Sequence, residues 1–171
     1  MSSSHRLVVH GAAGRMGQRI IACAAADTVP WHLVAAIERA GHPKLGIDAG
    51  TLAGSGEAGV VISEAWSCPA DVVIDFSLPE AVPSIVEKCL AAKVPLVVAT
   101  TGFDDAVRTL IADAARVIPV LQAPSMSLAV NIAMDLVSRA GTLLKRVGTR
   151  ADVEIIECHH RHKEDSPSGT A

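Results

Sequence analysis

Short β-branched runs and stretches of helical period alternate along most of this chain. Arg6-Leu-Val-Val-His10 ends at Gly11, and apolar positions at Met16, Ile20, Ile21, Cys23 and Ala24 follow at helical spacing. They predict a first βα unit over residues 6–26, with Asp27-Thr-Val-Pro30 breaking the helix. Trp31–Ile37 reads as the next strand. Ala40–Gly59 is rich in turn residues and holds six of the thirteen glycines, so a mobile surface loop is expected there, then a short strand at Val60-Val61-Ile62. Asp71-Val-Val-Ile-Asp75 is an apolar core flanked by acids, the pattern of a strand covered on both faces. Pro79 opens a helix carrying Val82, Ile85, Val86, Cys89 and Leu90 on one side. Pro95–Ala99 is a further strand, Asp104 and Asp105 begin another helix, and Val117–Leu121 a last strand whose Pro119 points to an edge or a bulge.

This βαβ alternation with short connections argues for an α/β fold, a Rossmann-like doubly wound parallel sheet. From Pro124 onward the rhythm changes. Residues 127–147 form one long amphipathic pattern, with Ala129, Ile132, Ala133, Leu136, Val137, Ala140, Leu143, Leu144 and Val147 on one side. Asp152–His159 then alternates as a strand would. The chain therefore divides into a dinucleotide-binding domain over residues 1–126 and the start of a second, α+β domain over residues 127–171.

At the first strand-to-helix junction the chain reads Gly11-Ala-Ala-Gly14-Arg-Met-Gly17, a G-x-x-G-x-x-G spacing. Such a turn lets backbone approach a pyrophosphate, and the helix behind it offers N–H groups and a positive dipole end. Glu38 closes the second strand 21 residues after Gly17, where such folds place an acid for the ribose hydroxyls. Arg39 beside it suits a 2′-phosphate, so both NADH and NADPH remain open as cofactors. In a doubly wound sheet ligands collect at the carboxyl ends of strands, which selects three loops: Gly11–Gly17, Asp75-Phe-Ser77 and Ala99-Thr-Thr-Gly102. For the last two, ordinary turn and capping chemistry is an equally good account.

Composition removes several function classes. A net charge of −3 over 171 residues gives no general attraction to nucleic acid, and 2% aromatics with no Tyr leave little to stack bases on. Four well-separated cysteines (Cys23, Cys68, Cys89, Cys158) form no C-x-x-C pair and read as reduced thiols. No apolar run reaches membrane-spanning length, and no secretory segment follows Met1; a soluble, cytoplasmic protein without a membrane partner is expected.

The densest chemistry runs from Glu157 to Thr170, where His159, His160, Arg161, His162 and Lys163 precede a Ser-Gly-Thr helix start. Basic side chains and a helix N-terminus suit the two ends of a small dicarboxylate, and histidine is a good general acid near neutrality. Three other readings stand beside this one. The run is a solvated basic loop; or His159, His160 and His162 bind a metal, against which neighbouring strand residues point to opposite faces; or Cys158 is a nucleophile, although a thiol alternating with Ile156 in a strand is better read as buried and structural.

Glu157-Cys-His-His-Arg-His-Lys163 and Asp165-Ser-Pro-Ser-Gly-Thr-Ala171 resemble the E-x-H-H-x-x-K-x-D-x-P-S-G-T-A signature of the 4-hydroxy-tetrahydrodipicolinate reductases of lysine and diaminopimelate biosynthesis. Gly11–Gly17, Glu38-Arg39, Ile74–Ser77, Thr100–Phe103 and Pro124–Asn131 follow in the same family order. In the last segment the chain has Ser125-Met126 and Ala129 where the family often has Asn-Phe or Asn-Met and a glycine.

The resemblance implies reduction of a cyclic substrate by NADH or NADPH, with no metal. It makes His159 the acid/base residue and Lys163 the cationic proton donor, with His160, Gly169 and Thr170 on the substrate carboxylates. Gly11, Ala12, Ala13, Gly14, Arg15, Met16, Glu38 and Arg39 would bind the adenosine and pyrophosphate part. Ala99, Thr100, Thr101, Ala123, Pro124, Ser125 and Met126 would line the nicotinamide. Family members continue well past the signature, so the second domain is expected to be incomplete at Ala171 and a homotetramer is expected of a full-length chain. Two other functions remain open at this level: a non-catalytic NAD(P)-binding module, and another Rossmann-fold small-molecule dehydrogenase.

Overall fold

The computed structural model describes residues 4–26, 30–148, 150–158 and 161. It separates into two compact units, residues 1–122 and 123–171. The first holds strands β1 (His5–His10), β2 (Trp31–Ile37), β3 (Ile62–Ser63), β4 (Val72–Asp75), β5 (Leu96–Val98) and β6 (Val120–Gln122). Helices α1 (Arg15–Ala24), α2 (Ala49–Ala53), α3 (Val82–Ala92) and α4 (Asp105–Ala114) lie between them. The six strands form one parallel sheet in the order β3-β2-β1-β4-β5-β6. Chain order runs outward one way from β1 and the other way from β4, so the switch point falls between these two strands.

Burial follows the alternation of strand side chains. Leu7 and Val9 of β1 face Ile21 of α1 and Ala49 of α2, whereas Val8 faces the cluster of Val73, Ile85, Val86, Phe103 and Ile111 on the other side. Helix α3 buries Val82, Ile85, Val86 and Cys89 at helical spacing, and Asp104 caps α4 by accepting from the Val107 amide at 2.9 Å. Both faces of the central strands are therefore dry, and polar groups at their carboxyl ends need partners within the protein or a ligand.

Some expectations change. The glycine-rich segment 40–59 is not a bare loop: it contains α2, and Leu45, Leu52, Ala58 and Val60 pack on the core. Asp48 organises it, with Oδ1 accepting from the amides of Thr51 (2.8 Å) and Ala58 (3.0 Å) and Oδ2 from that of Val60 (3.2 Å). The last strand, β6, begins at Val120 rather than Val117, because Pro119 has no N–H and offers only its carbonyl, which accepts from Leu96. It is an edge strand.

In the second unit α5 (Leu128–Arg146) follows Ser127, whose Oγ accepts from the Val130 amide at 3.4 Å. Its apolar positions are exposed within that unit. Residues 151–158 form no strand. Among the described residues no ladder partner accompanies them, and an alternating sequence without one does not make a strand. Cys158 is exposed rather than buried.

Candidate functional site

The glycine turn sits at the carboxyl end of β1, beside the switch point. Gly11 and Ala12 both donate to the Ile37 carbonyl, at 3.0 and 3.1 Å, which fastens the turn to the end of β2. Gly11 has φ +76°, and a Cβ there would meet the Phe76 carbonyl oxygen at 2.5 Å, so the turn also lies hard against the loop after β4. Gly17 packs as closely: its Cβ would fall 2.2 Å from the Gly11 oxygen. Gly14 is exposed and has room by comparison, with one contact at 3.2 Å.

Helix α1 starts at this turn without a side-chain cap and without an acid in its first turn. Among the described residues no backbone oxygen pairs with the amides of Arg15, Met16 and Gly17. Uncapped amides, the positive end of a ten-residue helix and the cation of Arg15 suit a diphosphate. The Glu38 carboxylate completes this end: Oε1 accepts from the Ala13 amide at 3.0 Å and Oε2 from the Arg39 amide at 3.2 Å. It is thereby held between the turn and the end of β2, where a ribose would lie. A cleft of about 250 Å³ is lined by His10, Gly11, Gly14, Glu38, Arg39 and Ser77 among others. A second cavity of about 500 Å³ shares His10, Glu38 and Arg39 and extends to Glu80, Ser84 and Lys88. These residues fit a dinucleotide.

Beneath the cleft lies a polar cluster that joins three strand ends. His10 and Asp75 are register partners across β1 and β4, and Asp75 is wholly buried. Its Oδ1 lies 2.7 Å from His10 Nδ1 and accepts from the Ser77 amide at 3.3 Å. Its Oδ2 accepts from the Thr100 hydroxyl at 2.7 Å. Burial pushes the Asp75 carboxyl up, but the bonds from His10, Ser77 and Thr100 outweigh it and hold the group below the ordinary aspartate range. Burial, with the Asp75 charge adding to it, pushes the Cys89 thiol up to about 12, so Cys89 is an inert core thiol.

The first unit thus gathers Gly11, Ala12, Ala13, Gly14, Arg15, Met16, Glu38 and Arg39 at one end of the sheet. Ala99 and Thr100 stand at the same end after β5; the Ala99 amide donates to the Asp75 carbonyl at 3.0 Å, and the Thr100 hydroxyl is spent on Asp75, while Thr101 is exposed. Ala123, Pro124, Ser125 and Met126 belong to the second unit and lead into α5, with the Asn131 side chain donating through Nδ2 to the Ser125 carbonyl at 2.9 Å. His159, His160, Lys163, Gly169 and Thr170 lie outside the described residues, as does the His159–His160–His162 metal reading. Sequence reasoning passed over His10 and undervalued Asp75. The available signal was an imidazole closing an otherwise apolar strand, opposite an aspartate closing another.

Strand order, glycine turn and acid at the end of β2 together define a Rossmann-like α/β fold. Models of the N-terminal and C-terminal parts of dihydrodipicolinate reductase match residues 5–126 and 129–171, and the chain belongs to that family. It is 49% identical over 170 residues to a 4-hydroxy-tetrahydrodipicolinate reductase of Rhodopirellula baltica, covering 96% of this chain and 60% of the relative. An enzyme of the same name from Anaeromyxobacter dehalogenans is 46% identical over 169 residues, covering 97% and 61%. The chain thus spans about three fifths of the length of these relatives. A solved dipicolinate-bound dihydrodipicolinate reductase from Paenisporosarcina sp. TG-14 superposes with a TM-score of 0.69 at 26% identity, over 97% of this chain and 62% of that one. A myo-inositol 2-dehydrogenase from Lactobacillus plantarum shares the fold alone, at TM-score 0.56 and 16% identity over 80% of this chain and 42% of that one. No helix among the described residues is long and apolar enough to cross a membrane.

Proposed function

We propose that residues 1–126 bind NADH or NADPH in the switch-point cleft, and that the whole protein reduces 4-hydroxy-tetrahydrodipicolinate to tetrahydrodipicolinate. The observation that carries this reading is the uncapped start of α1 with Glu38 clamped beside it, in a chain whose family is that of the dihydrodipicolinate reductases. When bound, the nicotinamide supplies a hydride. The chain's own part is to hold the diphosphate on the amides of Arg15, Met16 and Gly17 and to bond a ribose through Glu38, with Arg39 as the cation available to a 2′-phosphate. Ala99, Thr100, Thr101 and the Ala123–Met126 segment present the nicotinamide side.

For the chemistry the family signature supports His159 as the acid/base group and Lys163 as the cation that donates a proton as the substrate ring loses water and is reduced. His160, Gly169 and Thr170 hold the substrate carboxylates. The same resemblance supports a homotetramer for a full-length protein, with a small dicarboxylate as its substrate; the modest net charge, scarce aromatics and well-separated cysteines support a cytoplasmic setting without nucleic acid or membrane as a partner.

Calorimetry of this chain with NADH and NADPH tests the cofactor half: micromolar binding of either is expected, and no binding of both overturns it. In a full-length protein His159→Gln is expected to lower turnover by about a hundredfold or more with NADH affinity retained. Undiminished turnover overturns the role of His159.

A further inference from the structure

We infer that His10 is a further cofactor contact in this cleft, its Nε2 hydrogen-bonding an oxygen of the adenosine diphosphate half of the dinucleotide. The inference rests on the reading of the cleft as a dinucleotide site. His10 ends β1 at the switch point, and its side chain is only 7% exposed. One ring nitrogen is accounted for by Asp75 at 2.7 Å. The other, Nε2, has no hydrogen-bond partner among the described residues and is not one of the fully enclosed unpaired atoms, and His10 lines both cavities. The three residues before it, Leu7, Val8 and Val9, are apolar and buried.

The tautomer follows from the partners. Asp75 also takes the Ser77 amide and the Thr100 hydroxyl, and as a carboxylate it can only accept, so the proton between it and His10 belongs to Nδ1. Nε2, the ring nitrogen not held by Asp75, is then an acceptor for a ribose hydroxyl when the ring is neutral and a donor to a diphosphate oxygen when the ring is charged. Either oxygen would belong to the half of the cofactor held between Gly14 and Glu38, which line this cleft together with His10. The aspartate below fixes the ring plane, as a carboxylate behind a ligating histidine does elsewhere.

Nitrogen spectra of the histidine-labelled chain test this directly. The His10 signals are assigned by their loss in His10→Asn, whose amide can still donate to Asp75 but which has nothing at the Nε2 position. Addition of NADH, ADP or adenosine reports contact at Nε2. A displacement of the Nε2 signal by NADH and by ADP is expected, with none from nicotinamide mononucleotide; an added response to adenosine marks a ribose hydroxyl as the partner, and its absence marks the diphosphate. His10→Asn is expected to raise the NADH dissociation constant about fivefold to tenfold while the unfolding midpoint stays close to that of the parent. If NADH binds the parent chain and the Nε2 signal does not move, or moves with nicotinamide mononucleotide instead of ADP, the inference is wrong and the dinucleotide reading stands. If NADH, NADPH and ADP all fail to bind the parent chain, the reading of the cleft falls and the inference with it.

Discussion

His10 Nδ1 and Asp75 Oδ1 stand 2.7 Å apart across neighbouring strands, at the point where the order of the sheet reverses. Through this one contact the glycine turn after β1 is tied to the loop after β4, and Thr100 extends the tie to the loop after β5. The three loops at this end of the sheet therefore share a single buried carboxylate. Asp75 is a positioning residue: it lies beneath the cleft and acts through the groups it holds.

Removing that carboxylate strands its partners. In Asp75→Ala the His10 ring and the Ser77 amide lose their acceptor and the Thr100 hydroxyl keeps only the Ser77 carbonyl, at 3.2 Å, so a loss of roughly 3–5 kcal/mol in folding stability is expected. Asp75→Asn keeps one acceptor oxygen but turns an N–H toward a donor, and is expected to cost less, about 1–3 kcal/mol. Urea unfolding followed by circular dichroism measures both. A midpoint for Asp75→Ala equal to that of the parent removes the carboxylate from this role.

Acid sensitivity follows from the same kind of group. Hydrogen bonds from the Arg6 side chain and then its amide hold the Asp71 carboxyl at about 2, and backbone bonds from Ala58 and Thr51 hold that of Asp48 at about 2. Asp75 is lowered as well. Each folded pKa lies below the unfolded one, so the stabilisation is complete above the ordinary aspartate range and is lost as pH falls through the folded value. The unfolding midpoint is expected to stay nearly level from about pH 7 to 5 and to fall steadily below about 4. Asp48→Asn and Asp71→Asn should each flatten that acid slope while lowering the plateau. An unchanged slope in both would show that the acid transition has another origin.

Much of this arrangement is legible in the residue pattern, and the exceptions share a cause. Trp31–Ile37 forms the strand that its apolar run predicts, and the 127–147 periodicity yields α5 within a residue at each end, because each signal is local and long. Helix α2 is too short to show a helical period; it exists because Asp48 gathers an amide from within it and two from the segment that follows. The expected strand at 152–159 has the right alternation, yet alternation only describes a face and cannot supply a neighbour. In the site, the glycine turn and Glu38 are visible because their spacing is short and stereotyped. The His10–Asp75 pair joins residues 65 apart, and only the sheet order brings them together.

Two glycines of the turn should respond differently to the same methyl group. In Gly17→Ala the new carbon would lie 2.2 Å from the Gly11 oxygen and 2.8 Å from Ala12 Cα, backbone atoms that cannot step aside without moving the turn. A destabilisation of about 2–4 kcal/mol is expected, with NADH binding lost. Gly14 has φ −70° and its nearest contact is at 3.2 Å, so Gly14→Ala should melt within a few degrees of the parent. Thermal unfolding and NADH titration of the two variants separate a packing glycine from one that faces ligand. Equal melting points would contradict the close approach at Gly17.

Glu38 offers the sharpest test of cofactor choice. Its carboxylate is clamped by the Ala13 and Arg39 amides, so it cannot swing away from an incoming group without giving up both bonds. A ribose with free hydroxyls would gain a charge-assisted hydrogen bond there; a 2′-phosphate would meet a fixed negative charge beside the cation of Arg39. The parent chain is therefore expected to bind NADH more tightly than NADPH. Glu38→Gln keeps the shape and one acceptor oxygen and removes the charge. It should weaken NADH about threefold to tenfold and strengthen NADPH, so that the ratio of the two dissociation constants moves by about tenfold or more toward the phosphorylated cofactor. Arg39→Gln should move it in the opposite direction by loss of NADPH alone. Calorimetric titration of both cofactors into the three proteins gives the ratios, and a Glu38→Gln chain whose preference matches the parent's would place the ribose elsewhere in the cleft.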